Sequence, residues 1–401
     1  MRDSFDPALS VAGIPHGNLK IHALDVLSVA FLLIGVHRAL TLGVRTLARG
    51  LGLALVLLFA VNFSRGVLDF GLQTGANNSR ASLYFLAPLV YASTIPHGWD
   101  ARVWRLIAGT GCVLVAIAFF YFATDGLRSV TQHALRNGIP VDSRPVVAAG
   151  ALVILESAVL LIALRWPSPR VSVWLVAVAV AGCVALQQRT VWVAGLAVGL
   201  IGFARWSNHR IRDAESLVLG ATGLLFLIVP LALWGFFQSS VLSTSARETT
   251  QANSTLQWRL TGWRELIASH HSLSDSVFGM PAGASWERSI NSVSIGVSPH
   301  DLYVEQFLRS GLPGVVVLVA LGLVLWSRRG EFASRAGLTP TCVGLLLLAQ
   351  FVFTITYSLD AVQGLIIGIF IASLSPNKQA APVSLVHANG AVLSARARGV
   401  P

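Results

Sequence analysis

The residues able to do chemistry in this sequence are few, and they gather at the edges of apolar blocks. His300-Asp301 stands immediately before one such block, at the end of a polar stretch that begins near Gln238. Arg259, Arg264 and Arg288 lie within that stretch, and Arg189 sits between two earlier apolar blocks. A histidine titrating near neutral pH can take a proton from a hydroxyl nucleophile while guanidinium groups hold a phosphate leaving group. Asp301 and Glu305, one helical turn apart, can orient that histidine or an arginine, or simply cap the helix that begins there. His270 and His271 are adjacent and share no helix face, so no metal cluster is expected, and no cofactor. Nor is there a glycine-rich phosphate loop followed by lysine, which argues against an ATP-driven machine. Glu156 is the one acid deep inside an apolar block; its cost there makes a proton-coupled transporter or flippase the rival class, with a partly satisfied structural glutamate as the plainer account.

The elements that must position these residues are membrane helices. Of the 401 residues 54% are hydrophobic and only 12% charged, against about 25% charged in a soluble domain. The apolar residues fall in blocks near the roughly 20 needed to cross a hydrocarbon core. The expected fold is therefore all-α and polytopic, with about 11–12 transmembrane helices. Eleven spans are placed near 22–37, 50–63, 81–96, 103–124, 145–165, 171–187, 190–206, 216–237, 303–326, 338–357 and 359–375, with 61–72 extending the second or forming a re-entrant segment. Residues 1–237 form the first group of spans, 238–302 a large loop, 303–375 the last group, and 376–401 a tail. No cleavable signal peptide is expected at residues 1–21, which carry Asp3, Asp6, Pro7 and Pro15.

Arginine clusters orient the chain. Arg38, Arg45 and Arg49 in one connection, and the clusters at 102–105, 165–170, 205–212 and 328–335 in alternate later ones, mark the cytoplasmic side. The long loop, the 125–144 loop and the turn bearing Arg189 then face outward, the tail inward, and the amino terminus outward. The formal charge of +11 is almost all arginine, since Lys20 and Lys378 are the only lysines. That bias suits lipid phosphates, whereas nucleic acid is not expected because the arginines form no basic tract. Cys112, Cys183 and Cys342 lie in apolar blocks, which excludes a disulfide framework. Gly195, Gly199 and Gly202 are read as close-packing residues. Within the loop, Leu256, Leu260, Trp263 and Ile267 recur at helical spacing after Ser254-Thr255, predicting a short amphipathic helix on the membrane face.

Spacing adds a resemblance. His300-Asp301, nine residues, then Gly311-Leu312-Pro313-Gly314 resembles the His-(Asn/Ser/Gln)-x9-Gly-x-x-Gly signature of bacterial O-antigen ligases and O-antigen polymerases. Arg259 with Trp263, followed by Phe278-Gly279 and a second glycine, is similar to the Arg-x3-Trp…Phe-Gly-x-Gly pattern that opens the same loop, and Arg189 matches the family's membrane-edge arginine. The likeness covers mainly residues 185–326. Asp301 stands where the family carries an amide or hydroxyl, Met280-Pro281 interrupts the glycine turn, and Gln187-Gln188 replace a serine-rich approach.

The resemblance implies a GT-C-like, metal-independent glycosyltransferase of the bacterial inner membrane with its site on the periplasmic face. Its donor would be a glycan on undecaprenyl diphosphate. Its acceptor would be lipid A core for a ligase, or a second lipid-linked glycan for an O-antigen or exopolysaccharide polymerase. His300 would be the general base, with Arg189 and Arg259 on the diphosphate. Arg288 would touch an anionic acceptor. Arg259 and Arg264 point in different directions on a helix, and the family pattern favours Arg259. The high positive charge leans toward the ligase. A structural scaffold, the remaining class, would leave the loop histidine and arginines without a joint purpose.

Overall fold

The computed structural model describes residues 14–16, 19–96, 100–125, 134–136, 139–141, 145–186, 188–207, 255–268, 273–284, 286, 288–290, 293–295 and 299–374. The expected span at 216–237 and the tail from 376 lie outside them.

Each of the other expected spans falls in a helix. Helix α1 is Ala23–Leu42, α2 Leu47–Ala92, α3 Asp100–Asp125, α4 Ala148–Leu164, α5 Pro169–Ala185 and α6 Arg189–Ser207. After the loop helices α7 (Thr255–Ala268) and α8 (Leu273–Phe278) come α9 (Leu302–Ser327), α10 (Arg329–Ala336), α11 (Pro340–Thr354) and α12 (Ala361–Ser373). Three antiparallel hairpins of three-residue strands interrupt the all-α expectation: β1–β2 (Ile14–His16, Leu19–Ile21), β3–β4 (Ala134–Arg136, Ile139–Val141) and β5–β6 (Arg288–Ile290, Val293–Ile295).

This is the architecture of a multi-pass membrane protein. Among the described residues, four helices are long and apolar enough to cross a membrane, α1, α2, α3 and α9; α10 and α11, bent by 119°, make a fifth if taken as one span. Helices α4, α5, α6 and α12 are apolar but shorter. At 1.5 Å per residue the 17 residues of α4 reach about 25 Å, short of a hydrocarbon core of roughly 30 Å. Local signals stop these helices early. Arg165 ends α4 in the left-handed conformation, and Ser168, Thr339 and Asp360 accept from backbone N–H groups at the starts of α5, α11 and α12.

Helix α2 is two arms. Gly71 departs from helical geometry at φ 81° and ψ 162°. A Cβ on Gly75 would lie 3.2 Å from the Val67 nitrogen. Residues eight apart in a straight helix are separated by about 12 Å, so the chain turns back on itself at Gly71. The expected spans at 50–63 and 81–96 are these two arms, joined without a loop. Helix α9 is likewise broken at Gly311 (φ 63°, ψ −164°), two residues before Pro313.

The core centres on α4, in which every residue from Ala151 to Ile162 is buried. Small residues bring its neighbours close. Ser157 on α4 donates to the Ile107 carbonyl of α3 at 3.0 Å, and Gly364 and Gly368 of α12 press on the Phe85 and Leu89 carbonyls of α2. Gly195, Gly199 and Gly202 are buried in α6, as expected of packing residues. Glu156 sits fully buried in this core, accepting from Gln350 of α11 at 2.8 Å and from Gln363 of α12 at 3.5 Å. It therefore ties three helices together. Replacing Glu156 by leucine strands two buried amide donors at about 1–3 kcal/mol each. The expected result is a clear fall in the melting temperature of the detergent-solubilised protein, milder in Glu156→Gln; a leucine variant that melts like the parent would remove this clamp from the account.

Candidate active site

The site is built on the turn between α11 and α12. Thr354, Ile355, Thr356, Tyr357 and Ser358 interrupt two apolar segments, and four parts of the chain meet them. From α7, Arg259 donates to the Thr356 carbonyl at 3.2 Å and lays its guanidinium over the Tyr357 ring, 4.8 Å from its centroid. From the segment before α9, the His300 ring lies 6.2 Å from the same ring, centroid to centroid. At the head of α6, beside Arg189, Thr190 shares a 2.5 Å hydrogen bond with the Thr356 hydroxyl. From α9, the buried Glu305 accepts a hydrogen bond from Ser358.

The pair at 259 and 263 acts as a clamp. Residues four apart on a helix share a face, and while Arg259 reaches the 356–357 turn, the Trp263 indole donates to the Pro299 carbonyl at 2.6 Å. That bond fixes the peptide directly before His300, which holds φ 54°, a left-handed conformation uncommon for any residue but glycine. A non-glycine residue so held at a candidate site is placed by its surroundings. The clamp also sets the rotation of α7. Its inward face carries Arg259, Gly262, Trp263 and the fully covered Leu266, whereas Leu260 and Ile267 are 38% and 44% exposed. Polar tethers rather than the leucine stripe set the rotation of this helix.

The loop is locked onto both broken spans. Met280 donates to the Leu308 carbonyl at 2.6 Å, Arg65 donates to the carbonyls of Phe278 and Gly279 at 3.0 and 2.9 Å, and the Asn62 amide donates to those of Met280 and Arg309. The two motif glycines meet this segment back to back. A Cβ on Gly279 would lie 2.3 Å from the Arg309 carbonyl oxygen, and one on Gly311 2.3 Å from that of Val277. Both glycines have positive φ, 71° and 63°. Their role is to let the loop enter the break in α9, and Met280-Pro281 follows without disturbing it.

Asp301 does what an acid at a helix start does: its Oδ1 accepts from the Val304 N–H at 2.7 Å and caps α9. Burial pushes its carboxyl up to about 6, with hydrogen bonds from Val304 and Tyr303 and the charge of Arg259 acting the other way. A carboxyl that binds its proton more tightly folded than unfolded makes stability fall as pH rises from about 4 through 6. The melting temperature of the parent is thus expected to drop between pH 4.5 and 7 by more than that of Asp301→Asn, whose amide oxygen still caps; parallel curves would contradict it.

The structure gathers Arg259, His300, Asp301 and Glu305 around one turn, with Arg189 at its edge. It does not bring in Arg264, which is exposed on α7. Arg288 opens β5, which packs beside α7, but its side chain lies outside the described residues. Thr190, Thr356, Tyr357 and Ser358 are functional candidates that only the structure brings forward. A signal for them is present in the chain: a tyrosine flanked by hydroxyl residues at the edge of an apolar block, where membrane-interface aromatics concentrate. Among the described residues no group of three or more His, Cys, Asp or Glu could hold a metal. No protein-family model matches the chain, and no curated protein matches it.

Proposed function

We propose that this chain is an O-antigen ligase-like glycosyltransferase of the bacterial inner membrane, GT-C-like in fold, with residues 238–302 on the periplasmic face. It moves a glycan from undecaprenyl diphosphate to a sugar hydroxyl of lipid A core. The observation that supports the reading is the approach of Arg259 and His300 to the same ring, Tyr357.

In this reaction the acceptor oxygen forms the new bond to the anomeric carbon while the bond to the diphosphate oxygen breaks. His300 takes the acceptor proton, and the electron pair leaves on the diphosphate, where Arg189 and Arg259 offset the developing charge. Arg259 has capacity for this, since its Nε is buried without a hydrogen-bond partner. Lysine keeps the charge and loses the fork. Arg259→Lys and Arg189→Lys are each expected to lower kcat/KM about tenfold or more in membranes supplied with donor and acceptor; unchanged kinetics would show that a point charge suffices.

The reading itself is tested by deleting the gene in its host and comparing the lipid A-linked and undecaprenyl-linked glycan pools. Long chains stranded on the carrier above bare core support a ligase. Core capped by single repeat units supports a polymerase. Two unchanged pools would overturn both and restore the transporter.

A further inference from the structure

A cavity with a mostly apolar wall and a cluster of polar groups lies behind the candidate site, between the two arms of α2 and the first turns of α9. Its walls include Asn62, Ser79, Ser82, Glu305, Arg309 and Ser358. Two of these carry unmet hydrogen-bonding atoms. Arg309 is only 8% exposed, and its Nε has no partner; Ser79 is 5% exposed, and its hydroxyl has none. Arg309 is otherwise held by the Asn78 carbonyl at 2.8 Å and by the Trp286 ring, 4.4 Å from its guanidinium carbon. Among the described residues no carboxylate comes within ion-pair distance of it.

Orphaned polar atoms at such depth cost about 1–3 kcal/mol each, which a ligand recovers by filling them. The chemistry of the walls selects that ligand. Glu305 lines the same cavity as Arg309, so the pair presents no net charge and an anion gains little. A group that both donates and accepts satisfies an arginine N–H, a serine hydroxyl and a carboxylate together, and a hydroxyl is such a group. About 40 Å³ is open to the centre of a water-sized sphere, more than the roughly 10–15 Å³ that one water needs, so a small hydroxyl-bearing group fits. The cavity also adjoins the site: Leu302 on its wall is two residues from His300, and Ser358 follows Tyr357.

We infer that this cavity is a specificity subsite that receives one hydroxyl-bearing substituent of a sugar held at the candidate site. The inference rests on the glycosyltransferase reading, and its test does not. Full-length protein in nanodiscs is exposed to free glucose, galactose, N-acetylglucosamine and rhamnose at millimolar concentration, and saturation transfer to each sugar is recorded by NMR. At least one sugar is expected to give a signal with the parent. Ser79→Met fills the cavity and is expected to cut that signal at least fivefold; Ser79→Ala, which removes only the hydroxyl, is expected to weaken it about twofold and covers the case in which methionine does not fold. No signal from any sugar with the parent, or a signal indifferent to the folded Ser79 variants, would overturn the subsite. A sugar signal that persists although gene deletion leaves both glycan pools unchanged would instead retain the subsite and discard the glycosyltransferase. In the transfer assay, a KM raised by Ser79→Ala for donor alone or acceptor alone says which sugar the subsite reads.

Discussion

His300→Ala is expected to abolish measurable transfer while the protein still inserts and folds. A positioned general base contributes roughly a hundred- to ten-thousandfold, and no other histidine approaches the 356–358 turn among the described residues. The backbone argues that folding survives. His300 precedes α9 and holds φ 54°, so its replacement removes no helical hydrogen bond. Asparagine tolerates that conformation better than most residues, and His300→Asn is therefore the sharper variant: a polar side chain at unstrained φ, with no base. The assay is transfer from a lipid-linked donor in membranes of a deletion host, normalised to inserted protein. Full activity in either variant would remove His300 from the mechanism.

The second large effect falls on stability. Gly311→Ala places a methyl group 2.3 Å from the Val277 carbonyl oxygen at φ 63°. Left-handed φ costs a non-glycine residue about 1 kcal/mol, and forcing packed backbone apart costs typically 1–3 kcal/mol more. Gly337→Ala measures an ordinary left-handed conformation alone, because Gly337 has φ 66° and ψ 23° and its new methyl would meet nothing within 4 Å, whereas Gly311 at ψ −164° lies where almost only glycine is found. The detergent-solubilised Gly311 variant is expected to melt roughly 5 °C or more below the parent, with the Gly337 variant between them. If the two alanine variants melt alike, the loop does not press into the break in α9.

The amino-acid pattern shows the helices and the reacting groups better than it shows how they meet. Arg259, Trp263, His300 and Gly311 stand at spacings readable by eye, because local periodicity and motif distance are properties of one stretch of chain. The Tyr357 turn is not readable in the same way: its partners come from α6, α7 and α9, more than fifty residues away. The rotation of α7 is not readable for a related reason: the hydrogen bonds of Arg259 and Trp263 that set it end on residues distant in the chain. Hydropathy registers apolar length without the caps that bound α4, α5, α11 and α12, or the reversal at Gly71 that joins two expected spans into one helix.

The 356–358 turn carries a consequence for the birth of the protein. Synthesis runs from the amino terminus, so while residue 345 is being added Arg259 and His300 have already been made. The 356–357 turn that both of them meet has not. Arg259 and His300 come together only when α11 and α12 have been inserted beside α6 and α2. On the proposed reading, a chain cut short before these helices is expected to be inactive however complete its motifs.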